Sequence, residues 1–356
     1  MGTSSSKPTA EKFDPKKDLV DLKGKVVIVT GGNKGIGFAT VSALLRANAK
    51  VYLAARNEER AKAAIESLHN AGLGKGGDHS LGEVVWLKLD LGDPREAKKA
   101  AEEFLKLETR LDVLVNNAGD MHGDGRLGDD GVSSMQIVNY ISPYVFTRTL
   151  LPLLKQTAAE PGSDVRIVNV ASKVHAWIPA GVQYKELSDW NIQYSWRPFA
   201  HFLRYGTHIR SPPSILSGQP ISPFPLIRLG NSKLAVVLWS RHLQAQLLAS
   251  DPASPITVLA IHPGVVDTAS HTMPFPGLMK WLFSFGTVPV DEGAHNSLFA
   301  AASKKIKEEP EQYRAGVYLL ESPPGTITLP SAAAQDDKLG EDLIQTTEKF
   351  LKDIGV

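Results

Sequence analysis

The sequence predicts an α/β protein built as a doubly wound parallel sheet in a single domain. Three observations carry this. Short β-branched apolar runs alternate with longer helical patterns along most of the chain. Several of these runs are apolar at nearly every position, as strands buried on both faces require. The first run ends in a Gly-rich turn that opens directly into a helical pattern.

The elements follow in order. Met1–Leu22 is polar and without period, and reads as a flexible tail. Lys25–Thr30 is the first strand, followed by a helix through Ile36, Ala39, Ala43 and Leu44. A strand over Lys50–Ala55 leads to a charged helix over Asn57–His69. The Gly-rich loop Ala71–Gly82 precedes a third strand, Val84–Leu89. Pro94–Leu107 is a helix, Leu111–Val115 a strand, and Ser133–Leu154 a helix. Strand Asp164–Val170, helix Asn231–Ala249, strand Pro255–Ile261, helix Val290–Ala302 and strand Gly316–Leu320 continue the alternation. The domain spans 23–330, and residues 331–356 hold a last helix over Lys338–Lys352. Two stretches break the pattern: Val174–Arg204 is aromatic-rich, and Thr207–Gly230 carries five prolines.

Composition narrows the chemistry. The chain has no cysteine, which excludes disulfides, thiolate nucleophiles and cysteine-based metal sites. A net charge of +1 gives no global attraction to nucleic acid or to an anionic membrane. No apolar run reaches the ~18 residues of a membrane-spanning helix, and the polar N-terminus lacks a secretory signal. A cytoplasmic enzyme without nucleic-acid partners is the expectation, and no metal site is predicted. Gly2 with Ser6 matches an N-myristoylation pattern only weakly; the preferred reading is a disordered Ser-rich leader. A single acyl chain would give only weak, reversible membrane binding.

Thr30-Gly31-Gly32-Asn33-Lys34-Gly35-Ile36-Gly37 lies between the first strand and the first helix. Glycines there permit a tight turn and close backbone approach to a pyrophosphate, and the helix N-terminus offers N–H groups to the anion. The T-G-x-x-x-G-I-G spacing resembles the cofactor motif of the short-chain dehydrogenase/reductase family. Asp90-Leu91 resembles that family's adenine contact. Asn116-Asn117-Ala118-Gly119 resembles its N-N-A-G motif, and His262-Pro263-Gly264-Val265-Val266-Asp267-Thr268 its P-G-x-V-x-T element. The motifs stand in family order over roughly Leu22–Leu320, with the closest likeness to the retinol-dehydrogenase-like branch.

The resemblance implies a Rossmann fold binding a nicotinamide dinucleotide. Its expected contacts are Gly31, Asn33, Lys34, Gly35, Ile36, Gly37, Asp90, Leu91, Asn117, Lys233, Val266 and Thr268. Arg56 follows the second strand, where an NAD-binding fold would carry an acid. Its guanidinium suits a 2′-phosphate, so the expected cofactor is NADP.

In the family a Tyr exchanges the substrate proton and a Lys four residues later lowers the Tyr pKa. A Ser holds the substrate oxygen, and an Asn helps hold a water that leads to the Lys. By resemblance Asn139, Ser172 and Lys233 take three of these places. The fourth fails: Leu229 stands four residues before Lys233, and leucine carries no proton. Removing Thr207–Gly230 would join Tyr205-Gly206 to Asn231-Ser232-Lys233 and restore Y-G-N-S-K. The removed stretch has 24 residues, hence 72 bases. It reads as an unspliced intron or as a genuine insertion, and its prolines are expected to keep it out of a helix. Tyr205 is accordingly the candidate acid. The chain as written is expected to bind NADP(H) but to turn over poorly.

Residues 268–290 are rich in Met, Leu, Phe and Trp. They read as a lid over an apolar substrate, or as ordinary packing or an oligomer contact. The expected reaction interconverts an apolar ketone or aldehyde and its alcohol. The alternative is an NADP-binding pseudoenzyme without catalysis. By resemblance, a homodimer would form through the helices that carry Asn139 and Lys233.

Overall fold

The computed structural model describes residues 13–77, 81–121, 126–178, 181–191, 225–264, 289–316 and 318–356. The strands are β1 (Val26–Thr30), β2 (Lys50–Ala55), β3 (Glu83–Lys88), β4 (Val113–Asn116), β5 (Val165–Val170), β6 (Ile256–Ile261), β7 (Tyr318–Glu321) and β8 (Pro324–Thr328). The longer helices are α1 (Gly35–Arg46), α2 (Glu58–Asn70), α3 (Pro94–Leu107), α4 (Ser142–Ala158), α5 (Pro225–Ser250), α6 (His295–Ala302) and α7 (Asp337–Asp353). They flank one eight-stranded sheet of order β3-β2-β1-β4-β5-β6-β7-β8. The predicted strands agree with the observed ones to within two residues at each end.

Every residue of β1, β4, β5 and β6 is buried; the mostly apolar runs of β1 and β6 anticipate this, while β4 and β5 also bury Asn116, Arg166 and Asn169. Alternate residues serve opposite faces. Ile28, Leu114, Ile167 and Val258 pack under α3, α4, α5 and α7. Val27, Val29, Val115, Val168 and Leu259 pack under α1, α2 and α6. Local chemistry starts the outer helices. Asn57 accepts from Arg60 N at 2.8 Å ahead of α2, and Asp93 accepts from Arg95 N at 2.8 Å ahead of α3.

Four expectations need correction. The sheet is mixed, because β8 runs antiparallel to β7. β8 was not anticipated: Pro324-Gly325 reads as a turn, and pairing with β7 decides otherwise. Residues 13–22 are docked rather than a loose tail. Phe13, Leu19 and Leu22 are buried, and Val20 N donates to Ala302 O at 2.9 Å. The helix carrying Lys233 begins at Pro225 rather than Asn231. Proline is tolerated there because the first turn needs no N–H partner. The helix expected over Ser133–Leu154 contains a π segment, Ile137–Ile141, before α4. Proline content and period alone do not report such a local unwinding.

Candidate active site

Strand order reverses beside β1, which has β2 on one side and β4 on the other. In doubly wound sheets the crevice at that switch, outside the C-terminal strand ends, is where ligands bind. The turn after β1 is built for close approach. Gly31 has φ +67°, and a Cβ there would lie 3.1 Å from Ala118 Cα. Gly35, also left-handed at φ +55°, opens α1 without a side-chain cap. A Cβ on Gly37 would stand 2.3 Å from Gly31 O and 2.5 Å from Asn117 Nδ2. Only glycine fits between them. Asn117 locks the arrangement: its Nδ2 donates to Thr30 O at 2.8 Å, and its backbone N donates to Thr30 Oγ1 at 3.0 Å. Asn33 and Ile36 are half-buried beside this turn, and Lys34 is exposed.

Arg56 extends from the end of β2 and pairs with Asp90 past β3, Nη1 to Oδ1 at 3.7 Å. The Arg56 side chain is 74% exposed, so the pair is weak and easily exchanged. Asp90 Oδ1 also accepts from Gly92 N at 2.8 Å, and Leu91 is buried.

The three described catalytic candidates lie in the π segment Ile137–Ile141, just past β5, and in α5. Asn139 lies in the π segment and is buried. Its Nδ2 donates to Asp120 O at 2.9 Å and to Ser232 Oγ at 3.0 Å, and its Oδ1 accepts from Asp120 N at 2.6 Å. A π-bulge of this kind often marks a functional position. The buried Lys233 donates from Nζ to Val170 O at 2.7 Å. Burial pushes its pKa down to about 8. Asn139 and Lys233 converge on Gly119: a Cβ there would lie 3.2 Å from Asn139 Oδ1 and 3.5 Å from Lys233 Nζ. Ser172 follows β5 and caps the 3-10 turn Lys173–Trp177, its Oγ accepting from Val174 N at 3.4 Å.

Leu229 lies in the same helix, one turn before Lys233, and is buried. The structure therefore puts leucine where the family pattern asks for tyrosine. Next to it, Gly230 meets the Ser172 turn: a Cβ would lie 2.7 Å from Val174 O. Tyr205, Val266 and Thr268, the lid residues 268–288 and Gly2 lie outside the described residues. Among the described residues there is no cluster that could hold a metal ion, and no helix long and apolar enough to cross a membrane.

Two residues beside Ser172, Lys173 and His175, were not flagged by the sequence. Lys173 Nζ donates to Glu321 Oε1 at 2.8 Å, across a sequence separation of 148. His175 contacts Ser172 O through Nδ1 at 2.7 Å. The nearest available signal was the serine–histidine spacing itself, which carries no chemistry without the partners. His262 is buried and pairs only loosely with Glu321, Nε2 to Oε2 at 4.0 Å. Burial pushes its pKa down to about 4, so the ring is neutral.

Comparison with known proteins agrees with this fold. The family model described as short chain dehydrogenase matches residues 25–184. A short-chain dehydrogenase/reductase of Armillaria gallica is 38% identical over 360 residues, covering 99% of this chain and 98% of that protein. One from Gibberella zeae is 36% identical over 341 residues, covering 94% and 84%. Among solved structures, a protein from Mycobacterium Paratuberculosis superposes with a TM-score of 0.64 at 23% identity, covering 96% of this chain and 98% of that one. The Pseudomonas aeruginosa RhlG/NADP complex superposes with a TM-score of 0.57 at 22% identity, covering 84% and 95%. The chain belongs to the short-chain dehydrogenase/reductase family of oxidoreductases.

Proposed function

We propose that this protein is an NADP(H)-dependent oxidoreductase that interconverts an apolar ketone or aldehyde and its alcohol. The observation that carries the proposal is the convergence of Lys233 Nζ and Asn139 Oδ1 on Gly119, inside the crevice at the strand-order switch. The chain fits the cofactor. Gly31 and Gly37 leave a cradle that a Cβ would fill, and the uncapped start of α1 is suited to a pyrophosphate. Asn33, Lys34, Gly35 and Ile36 complete that cradle. Arg56 takes the 2′-phosphate, releasing Asp90, which with Leu91 faces the adenine. Asn117 backs the ribose side, and Val266 and Thr268 take the nicotinamide end.

When bound, the nicotinamide supplies or accepts the hydride. The chain supplies the rest. Ser172 Oγ holds the substrate oxygen. Lys233 binds the nicotinamide ribose and, through its charge, eases loss of a proton from a neighbouring hydroxyl. Asn139 holds the Asp120 backbone and completes the path away from Lys233. NADPH- and NADP-bound neighbours, such as chicken fatty liver carbonyl reductase and the Gluconobacter frateurii L-sorbose reductase, share the fold and support the cofactor assignment.

The proton donor is assigned to Tyr205 in a chain that reads directly from Gly206 into Asn231. Gly230 favours this reading. The residue before Asn231 has no room for a Cβ, and the joined chain puts Gly206 there. With residues 207–230 present, Leu229 occupies the donor's place and catalysis is impaired. A cofactor-binding protein without catalysis rests on Leu229 alone, and the relatives lend it no support. We place the enzyme in the cytoplasm. A homodimer through α4 and α5 must share that face with α7, whose Thr347 hydroxyl meets Tyr140 OH at 2.7 Å.

The direct test is titration with NADPH and NADH, followed by a carbonyl-substrate screen. Tight binding of NADPH over NADH is expected. Equal affinity for both removes the NADP assignment, and binding of neither removes the proposal.

A further inference from the structure

Ser172 sits on a weak scaffold. Its turn is a five-residue 3-10 helix, a form with poor hydrogen-bond geometry. The bond within the turn from Val174 N to Ser172 Oγ is long, at 3.4 Å. Something else must hold the serine to the tolerance that catalysis needs.

Two anchors reach the turn from the last part of the chain. His175 N and Nδ1 both point at Ser172 O, at 3.1 and 2.7 Å. A carbonyl only accepts, so Nδ1 carries the hydrogen and Nε2 is the acceptor. Nε2 accepts from Ser331 N at 3.3 Å. Both ring nitrogens of a neutral, buried imidazole are thus committed, and the ring stands edge-on to Tyr318, centroids 4.9 Å apart. The second anchor is the bond from Lys173 Nζ to Glu321 Oε1 at 2.8 Å, at the end of β7. On the opposite side Gly230 lets α5 pack directly on Val174 O. The turn is clamped between α5 and the β7–β8 segment.

We propose that His175, Lys173 and Glu321 are positioning residues that fix the pose of Ser172. They touch neither cofactor nor reacting atoms. They act through the Ser172 carbonyl and the backbone of the turn. This rests on the assignment of Ser172 above, and the test separates the two.

The experiment compares full-length wild type with His175→Phe, His175→Asn, Glu321→Leu and Glu321→Gln. Amide exchange of residues 174–178 is the first readout, and NADPH affinity, kcat and KM are the second. His175→Phe and Glu321→Leu are expected to speed exchange at 174–178 about tenfold and lower kcat about tenfold or more, with NADPH affinity held within about twofold. Asn keeps a donor for Ser172 O and Gln keeps an acceptor for Lys173, so each is expected to restore most of both readouts. Unchanged exchange in the Phe and Leu variants overturns the proposal. So does a loss of NADPH affinity equal to the loss of kcat, because that marks a general folding role. If neither wild type nor the chain lacking 207–230 shows turnover, the oxidoreductase reading fails by itself, and exchange at 174–178 alone decides the positioning role.

Discussion

At the cofactor end of the crevice, backbone packs on backbone, with the Asn117 and Thr30 side chains as ties. Gly37 brings α1 against Gly31 O, and Asn117 ties Thr30 to the turn after β4. At the catalytic end, side chains do the holding. Lys233 hangs from Val170 O, Asn139 from Asp120, and Ser172 from His175 and the Lys173–Glu321 pair. Backbone cradles offer no substitute geometry, so one added carbon displaces the whole turn. Side-chain networks can lose one member and keep the rest. The first end is therefore expected to be intolerant of substitution and the second to be tunable.

Gly37→Ala gives the largest expected effect on cofactor affinity. Its Cβ would overlap Gly31 O and Asn117 Nδ2, so α1 must move away from the turn. NADPH affinity is expected to fall at least about 100-fold, read by calorimetry, because a shift near 1 Å misplaces every pyrophosphate contact. Near-normal affinity would break the contrast between the two ends.

Leu229→Tyr probes the tunable end. It sets a hydroxyl one turn before Lys233 in a helix that already runs through both positions. The expected result is a rise in kcat of about tenfold or more, with NADPH affinity little changed. Deleting 207–230 should give at least the same gain. Wild-type turnover equal to both variants would mean that another group supplies the proton.

Lys233→Met is expected to abolish turnover yet raise stability. Burial holds the folded pKa near 8, below the ordinary lysine value of 10.5. Between those values the unfolded chain binds more protons than the folded one, so wild-type stability rises as pH increases from about 8 to about 10.5. The total gain is of order a few kcal/mol. Melting curves across that range check it, and the slope should be lost in the Met variant.

The smallest effect belongs to Arg56→Ala. An exposed guanidinium paired at 3.7 Å contributes little to folding. NADPH affinity should fall about tenfold, as for loss of one charge-assisted contact, while NADH affinity stays constant. An equal fall for both cofactors would show that Arg56 does not read the 2′-phosphate.

Much of the fold is legible in the chain order of residues. Strand ends agree with the structure because each strand is a short run rich in β-branched and apolar residues bounded by polar or Gly residues, and that is a local property. The Gly31–Gly37 turn is legible for the same reason: its geometry depends on consecutive residues. Asn139, Ser172 and Lys233 are candidates read from motifs on three separate elements, and the sheet brings those elements together. The π segment at Asn139, the docking of Phe13 and Leu19, and the pairing of β8 with β7 were not found. The docking of Phe13 and Leu19 depends on partners distant in sequence, Phe299 and Ser303, whereas β8 pairs with its chain neighbour β7 across Ser322-Pro323.

The sequence alone determined the α/β alternation, the Gly-rich turn, the polar candidates and the missing tyrosine before Lys233, because each is fixed by neighbouring residue types. Tertiary structure decided which of these groups meet. Lys233 and Asn139 close on Gly119 because α5 and the π segment face each other across the ends of β4 and β5. Lys173 finds Glu321 because β5, β6 and β7 lie side by side. Contacts between distant residues depend on strand order and helix packing, which arise from burial summed over the whole chain rather than from any local run.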